Sequence, residues 1–206
     1  MGLYSKYVLP HLLNVVMAQK HITQQRTKVV PLATGRVLEI GLGTGHNLAY
    51  YDVAKVTKVY GLEPAAEMRA IAGPAIEAAG IDVELLASPA EDIPLDDDSV
   101  DTVLTTYTLC TVGDAPTALS AMRRVLKPGG RLIFCEHGKA PDRAVQKWQN
   151  RINPLWKPIG GGCNINRDIP KILEDVGFRI DALETGYLPD APRILSFNYW
   201  GNARVR

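Results

Sequence analysis

The residues best suited to chemistry run Glu39-Ile40-Gly41-Leu42-Gly43-Thr44-Gly45, an acid followed by glycines on alternate positions. Glycine lacks a Cβ, so such a loop takes positive φ and lets a ligand approach the backbone closely. The apolar run from Val37 to Ile40 reads as a strand. The loop then reads as its turn into a helix, whose free N–H groups favour a negative group. A nucleotide-like ligand fits that description. In the dinucleotide fingerprint the third glycine comes three positions after the second; here it comes after two, and His46 stands where it would be. An NAD-dependent oxidoreductase is therefore the weaker reading. Glu63, at the end of the second strand pattern, is placed where a carboxylate can accept both ribose hydroxyls, a feature shared by several nucleoside binders.

The pattern Glu39-x-Gly41-x-Gly43-x-Gly45 resembles motif I of the class I S-adenosylmethionine (SAM) methyltransferases. The resemblance implies that Glu39 faces the methionyl ammonium of SAM, and that Gly41, Gly43 and Gly45 wrap its methionyl and ribose parts. The stretch Ser88 to Pro94 resembles the adenine-binding segment of the ubiquinone-biosynthesis type, which implies Ala90 and Glu91 as adenine contacts. In many relatives an aspartate precedes the position of Ala90, and this chain has Pro89 there. Ser99 to Val112 resembles the family's fourth-strand motif, so Thr106 to Cys110 should border the methyl group. Thr106 is then a cofactor residue. Tyr107 and Cys110 are substrate-side candidates, with packing as the alternative for each.

Together with Glu136-His137-Gly138 and Gly162 to Arg167, these segments resemble the methyltransferase-like thiol S-methyltransferases and their bacterial relatives, over roughly residues 35 to 200. The resemblance implies SAM as cofactor, S-adenosylhomocysteine as product and a small-molecule acceptor, a thiol first. A free thiol, with a pKa of about 8.5, is a few per cent thiolate at neutral pH, so a nearby base would help. His137 is the first candidate, because an unperturbed pKa of about 6.5 suits proton removal near neutrality. Its alternative is a histidine satisfied by a loop carbonyl. A phospholipid headgroup or a quinone precursor is the second choice of acceptor, and a non-catalytic SAM-binding module is a competitor from another class.

These residues need a scaffold. From Gly35 onward strand and helix signals alternate, the mark of an α/β protein with a mostly parallel sheet covered on both faces. The resemblance implies a Rossmann-like class I methyltransferase fold with seven strands. Strands are expected at 36–40, 58–62, 82–86, 101–106 and 131–136, with a closing pair at 178–186 and 193–200. Residues 3–30 look helical, with Leu9, Leu12, Leu13, Val16 and Met17 on one stripe. Asp114 is a helix cap, a helix is expected at 143–152, and Asn166 should cap the last helix. The resemblance implies that residues 1–34 form a helical lid region and 35–206 the SAM-binding domain; a helix packed on the core is the alternative for the first segment.

Composition sets the outer bounds. Among 206 residues, 23 basic and 22 acidic side chains leave a net charge of +1, which provides no field to steer towards nucleic acid. Cys110, Cys135 and Cys163 cannot all pair, and none lies in a C-x-x-C pattern, so neither a disulfide framework nor a metal site is expected. A reducing cytoplasmic location follows. Position 6 is lysine, not the Ser or Thr that myristoylation prefers. No apolar stretch has transmembrane length. A peripheral membrane contact through the first helix ranks last among its readings, and oligomeric state is left open.

Overall fold

Val37, Leu38 and Ile40 in one segment and Val59, Tyr60 and Leu62 in the next send apolar side chains to both faces, as strands covered on both sides must. The structure, a computed structural model, describes residues 3–206 apart from the side chains of Ser5 and Lys6. The reading made at Met1, Gly2 and the Lys6 side chain lies outside the described residues. The strands are β1 (Gly35–Ile40), β2 (Val56–Leu62), β3 (Asp82–Leu86), β4 (Val100–Thr106), β5 (Leu126–His137), β6 (Phe178–Tyr187) and β7 (Phe197–Val205). They form one sheet in the order β3-β2-β1-β4-β5-β7-β6. β1 to β5 pair in parallel, and β7 runs antiparallel to both β5 and β6. The mostly parallel seven-stranded sheet is therefore as expected. Chain order reverses between β1 and β4, and a crevice opens at their carboxyl ends, where an open α/β sheet takes its ligand.

The helices are α1 (Leu9–Met17), α2 (Lys20–Val29), α3 (Ala66–Glu77), α4 (Ala115–Val125), α5 (Arg143–Ile159), α6 (Ile169–Asp175) and α7 (Arg193–Ser196). On one face of the sheet Leu38, Ile40, Leu62, Val103 and Phe134 pack with Leu119 and Met122 of α4 and Leu173 of α6. On the other, Val37, Val59, Leu104 and Ile133 meet Val29 of α2 and Ala72 of α3. Alternation along β1 puts Glu39 on this second face, beneath α2.

Several elements differ from expectation, each for a local reason. The single N-terminal helix breaks at Gln19, whose backbone is extended with ψ 144°. α1 thereby swings over the crevice while α2 lies on the sheet. Gly45 does not lead into an α-helix; a single 3-10 turn at Leu48–Tyr50 follows it. Asn47 and Tyr51 turn inward there to reach the buried Glu39, and α2 already covers that face. α5 continues past Ile152 through Pro154 and Pro158. Proline clashes with and unpairs the carbonyl four residues before it. Here those carbonyls belong to Asn150 and Pro154, both exposed, so water can take them. Asp168, not Asn166, caps α6 by accepting from the Lys171 N–H at 3.4 Å. Asn166 donates instead to Asn150 Oδ1 at 2.8 Å. The expected last strand splits into α7 and β7. Asp114 caps α4 as expected, accepting from the Thr117 N–H at 3.1 Å.

Candidate active site

The glycine loop is built by pairing at its base and freedom at its tip. The Gly41 N–H donates to the Leu62 carbonyl at 2.8 Å, which ties the end of β1 to the end of β2. Gly41, Gly43 and Gly45 have φ of 68°, 60° and 82°. A Cβ at Gly41 would run into the Thr108 side chain, and one at Gly45 would come within 2.9 Å of Ala75 Cβ. At Gly43 the nearest atom beyond the loop's neighbours is Met68 Cε at 3.7 Å. Gly43 alone of the three is left bare for a ligand rather than for packing.

That bare position faces a cavity of about 370 Å³. Gly41, Gly43, Glu63, Ala90, Glu91, Thr106 and Tyr107 line it, so seven of the residues singled out from sequence converge there. Glu63 spans its rim: Oε2 accepts from the Gly43 N–H at 3.0 Å and Oε1 from the Ala65 N–H at 2.9 Å. Burial raises the Glu63 carboxyl above its ordinary value, against those two backbone donors. Glu91 Oε1 accepts from the Asp114 N–H at 3.1 Å. Tyr107 takes φ 55°, and the Thr108 N–H that follows donates to Glu136 Oε1 at 2.9 Å. Glu136 also accepts from Thr105 Oγ1 at 2.7 Å, so one fully buried acid shapes the turn after β4. The Tyr107 hydroxyl is buried beside the Cys135 thiol, and burial, first, with that thiol pushes it well above the ordinary phenol range.

Glu39, Gly45, Cys110 and His137 stand behind the cavity wall. Glu39 is 1% exposed, with Oε1 accepting from Asn47 Nδ2 at 2.9 Å and Oε2 from the Tyr51 hydroxyl at 2.7 Å. Burial raises its pKa to about 7, opposed by those two bonds and by Arg26. Asn47 does line the cavity, and it links the groups around it. Its Nδ2 also donates to Thr106 Oγ1 at 2.9 Å, and its Oδ1 accepts from Arg26 Nε at 3.0 Å. Arg26 Nη1 reaches the Met17 carbonyl at 2.6 Å, which fastens the end of α1 to this network. Leu9, Pro10, Leu13 and Met17 of α1 close the apolar side of the cavity, with Leu9 packed against Gly161. Leu12, Val15 and Val16 on the same helix point outward.

The comparisons with known proteins agree with this geometry. Residues 38–134 match a family model described as a methyltransferase domain. The human thiol S-methyltransferase TMT1B is 34% identical over 174 residues, which span 79% of this chain and 70% of that protein. The demethylmenaquinone methyltransferase of Thermus thermophilus is 33% identical over 148 residues, 69% of this chain and 67% of its own. The crystal structure of a SAM-dependent methyltransferase from Thermotoga maritima superimposes with a TM-score of 0.68 over 98% of both chains, at 22% identity.

The chain belongs to the class I SAM-dependent methyltransferases. SAM is its methyl donor, and the oxidoreductase and non-catalytic readings fall away. The cavity suits that donor: its volume is that of a small-ligand site, and a Cβ at Gly43 would take up ligand space. Among the described residues no helix is long and apolar enough to cross a membrane.

His137 of this methyltransferase does not face the cavity. Its Nε2 lies 2.9 Å from Cys163 Sγ, and the ring is also hydrogen-bonded to the Leu195 backbone. Cys110 lies beside the same sulfur, and its thiol also faces the Tyr107 carbonyl at 3.5 Å. The Cys110 thiol, first, and His137 hold the Cys163 thiol well below its ordinary range. Burial would lower His137, but Cys163 raises it. Sequence reading named Arg26, Asn47, Tyr51 and Glu136 nowhere as site residues. Their roles depend on burial beside one another, for which spacing along the chain carries no signal.

Proposed function

We propose that this methyltransferase transfers the methyl group of SAM to the sulfur of a small, largely apolar thiol. The observation that carries the reading is the 34% identity to thiol S-methyltransferase TMT1B across 79% of the chain. The acceptor side of the cavity agrees with it: Leu9, Leu13 and Met17 are apolar there, and Gly160 and Gly161 add no charge. SAM brings an activated sulfonium methyl, so the protein has mainly to align the partners and exclude water.

The residues divide the work by position. Glu63 accepts from the ribose hydroxyls with the lone pairs that Gly43 and Ala65 leave free. Ala90 and Glu91 bracket the adenine. Gly41, Gly43 and Gly45 carry the loop under the methionyl chain, and Glu39 attracts its ammonium from one layer behind Asn47. Thr106 and Tyr107 stand at the methyl end. Residues 1–34 act as a lid, with α1 as the closing wall and Arg26 as its latch. A reducing cytoplasmic compartment suits three unpaired cysteines.

The test is S-adenosylhomocysteine release by the purified chain with a panel of small thiols, a demethylated quinone and phosphatidylethanolamine vesicles. Turnover with apolar thiols is the expected result. Turnover with the quinone or the lipid alone would overturn the thiol assignment and leave the methyltransferase standing.

A further inference from the structure

The geometry points to Cys110, His137 and Cys163 as a binding site for one zinc-class divalent cation, beside the SAM cavity and independent of which acceptor is methylated. The donor atoms, two Sγ and one imidazole nitrogen, all lie within 4.8 Å of one another. Donors on one tetrahedral zinc, at about 2.3 Å for sulfur and 2.0–2.1 Å for nitrogen, sit about 3.5–3.8 Å apart. The 2.9 Å contact between Cys163 and His137 would open by about 0.6–0.7 Å to reach that spacing for a sulfur–nitrogen pair. Two thiolates and a neutral imidazole are soft and borderline donors, a set that selects zinc over magnesium or calcium.

The ligands come from separate segments, each already fastened. Cys110 lies in the turn after β4, where Arg167 Nη1 donates to the carbonyls of Leu109 and of Val112. Cys163 follows the glycine run after α5, and the next residue holds it in place. The Asn164 N–H and its side-chain Nδ2 both donate to the Cys110 carbonyl, at 2.8 and 3.0 Å. His137 ends β5, and the hydrogen bond between its ring and the Leu195 backbone is the kind of outer contact that orients a metal-binding histidine. Cys110, Cys163 and Ile165 form a small apolar cluster with Trp156, Ile194 and Leu195 packed against it, so the site is dry and shaped before any ion arrives.

Binding displaces two protons to solvent, that of the Cys110 thiol and the one shared between Cys163 and His137, and puts two metal–sulfur bonds and one metal–nitrogen bond in their place. Three protein ligands leave a fourth position for water or another small donor. The ion would pin the segment carrying Gly160 and Gly161, which line the cavity, to the ends of β4 and β5.

The first experiment titrates the full-length reduced chain with cobalt(II), a spectroscopic stand-in for zinc. One equivalent should give thiolate-to-cobalt absorption and tetrahedral ligand-field bands, and zinc should displace both. Cys163→Ser and Cys110→Ser should each lose at least half of the charge-transfer intensity, while Cys135→Ala, a cysteine outside the cluster, should keep it. Zinc at a hundredfold its dissociation constant should raise the Tm of the native chain by about 5–10 °C. Absence of thiolate-to-cobalt absorption in the native chain overturns the site without reference to any variant. Full absorption in Cys163→Ser overturns it as well. SAM binding, followed by calorimetry in the same samples, reports separately on the methyltransferase fold.

Discussion

Replacing Glu39 by glutamine should stabilise the empty protein strongly at pH 8 and only slightly near pH 5. The Glu39 carboxyl is buried, and its pKa rises from 4.5 to about 7 on folding. A group whose folded pKa lies above its unfolded one contributes stability that is fully present below about 4.5 and is lost as pH rises through about 7. That rise corresponds to about 3 kcal/mol at pH 8. The amide keeps the shape and most of the contacts, because the Tyr51 hydroxyl can turn to accept from the new Nε2. At roughly 2–4 °C per kcal/mol for a chain of this size, Glu39→Gln should melt about 6–12 °C above the native protein at pH 8. The assay is thermal denaturation of both proteins, free of ligand, from pH 5 to pH 8. Other titrating groups cancel in the difference between the two curves. SAM should act in the opposite sense. An ammonium beside Glu39 favours its ionised form, so native affinity should rise about tenfold from pH 6 to pH 8. The variant should bind SAM weakly and with no such slope. Parallel melting curves across that range would refute the reasoning, since they would mean that Glu39 is ionised at no cost.

Three further substitutions separate walls from machinery. Gly43→Ala places a Cβ at φ 60° with open space around it, so it should cost only about 1–2 kcal/mol in Tm while lowering SAM affinity more than tenfold by calorimetry. Normal affinity there would move the pocket elsewhere. Gly41→Ala, whose Cβ meets Thr108, should lose far more of the Tm than Gly43→Ala does. Tyr107→Phe removes a buried hydroxyl whose polar neighbour is the weakly bonding Cys135 thiol, so kcat should stay within about twofold and the Tm should hold or rise. A fall in kcat by orders of magnitude with unchanged KM for SAM would make that hydroxyl catalytic.

The sequence by itself determined the glycine loop and the acids at the carboxyl ends of β1 and β2. Glu39, the three glycines and Glu63 are legible because strand, turn and strand put them in place through local geometry: positive φ at Gly41, Gly43 and Gly45, and a β2 end paired in register with β1. β1, β2, β4 and β5 were legible too, since a strand buried on both faces is a short apolar run with few other readings. Helix limits were less so. α5 passes through two prolines because exposed carbonyls tolerate their loss of hydrogen bonds, and exposure is not written in the local sequence.

What only the tertiary structure decided is which distant side chains share a dry space. Arg26 and Asn47 meet Glu39 because α2 folds back over the carboxyl end of the sheet; the raised Glu39 carboxyl follows from that burial. His137 at the end of a strand could have faced the cavity or turned away. The segment carrying Cys163 settled the matter by packing its sulfur against the ring. Cys110, His137 and Cys163 match no motif spacing, yet their donor atoms converge within 4.8 Å. Local backbone preferences act over a few residues and can be read in order along the chain. Burial and electrostatics act through space, between residues that only the completed fold makes neighbours.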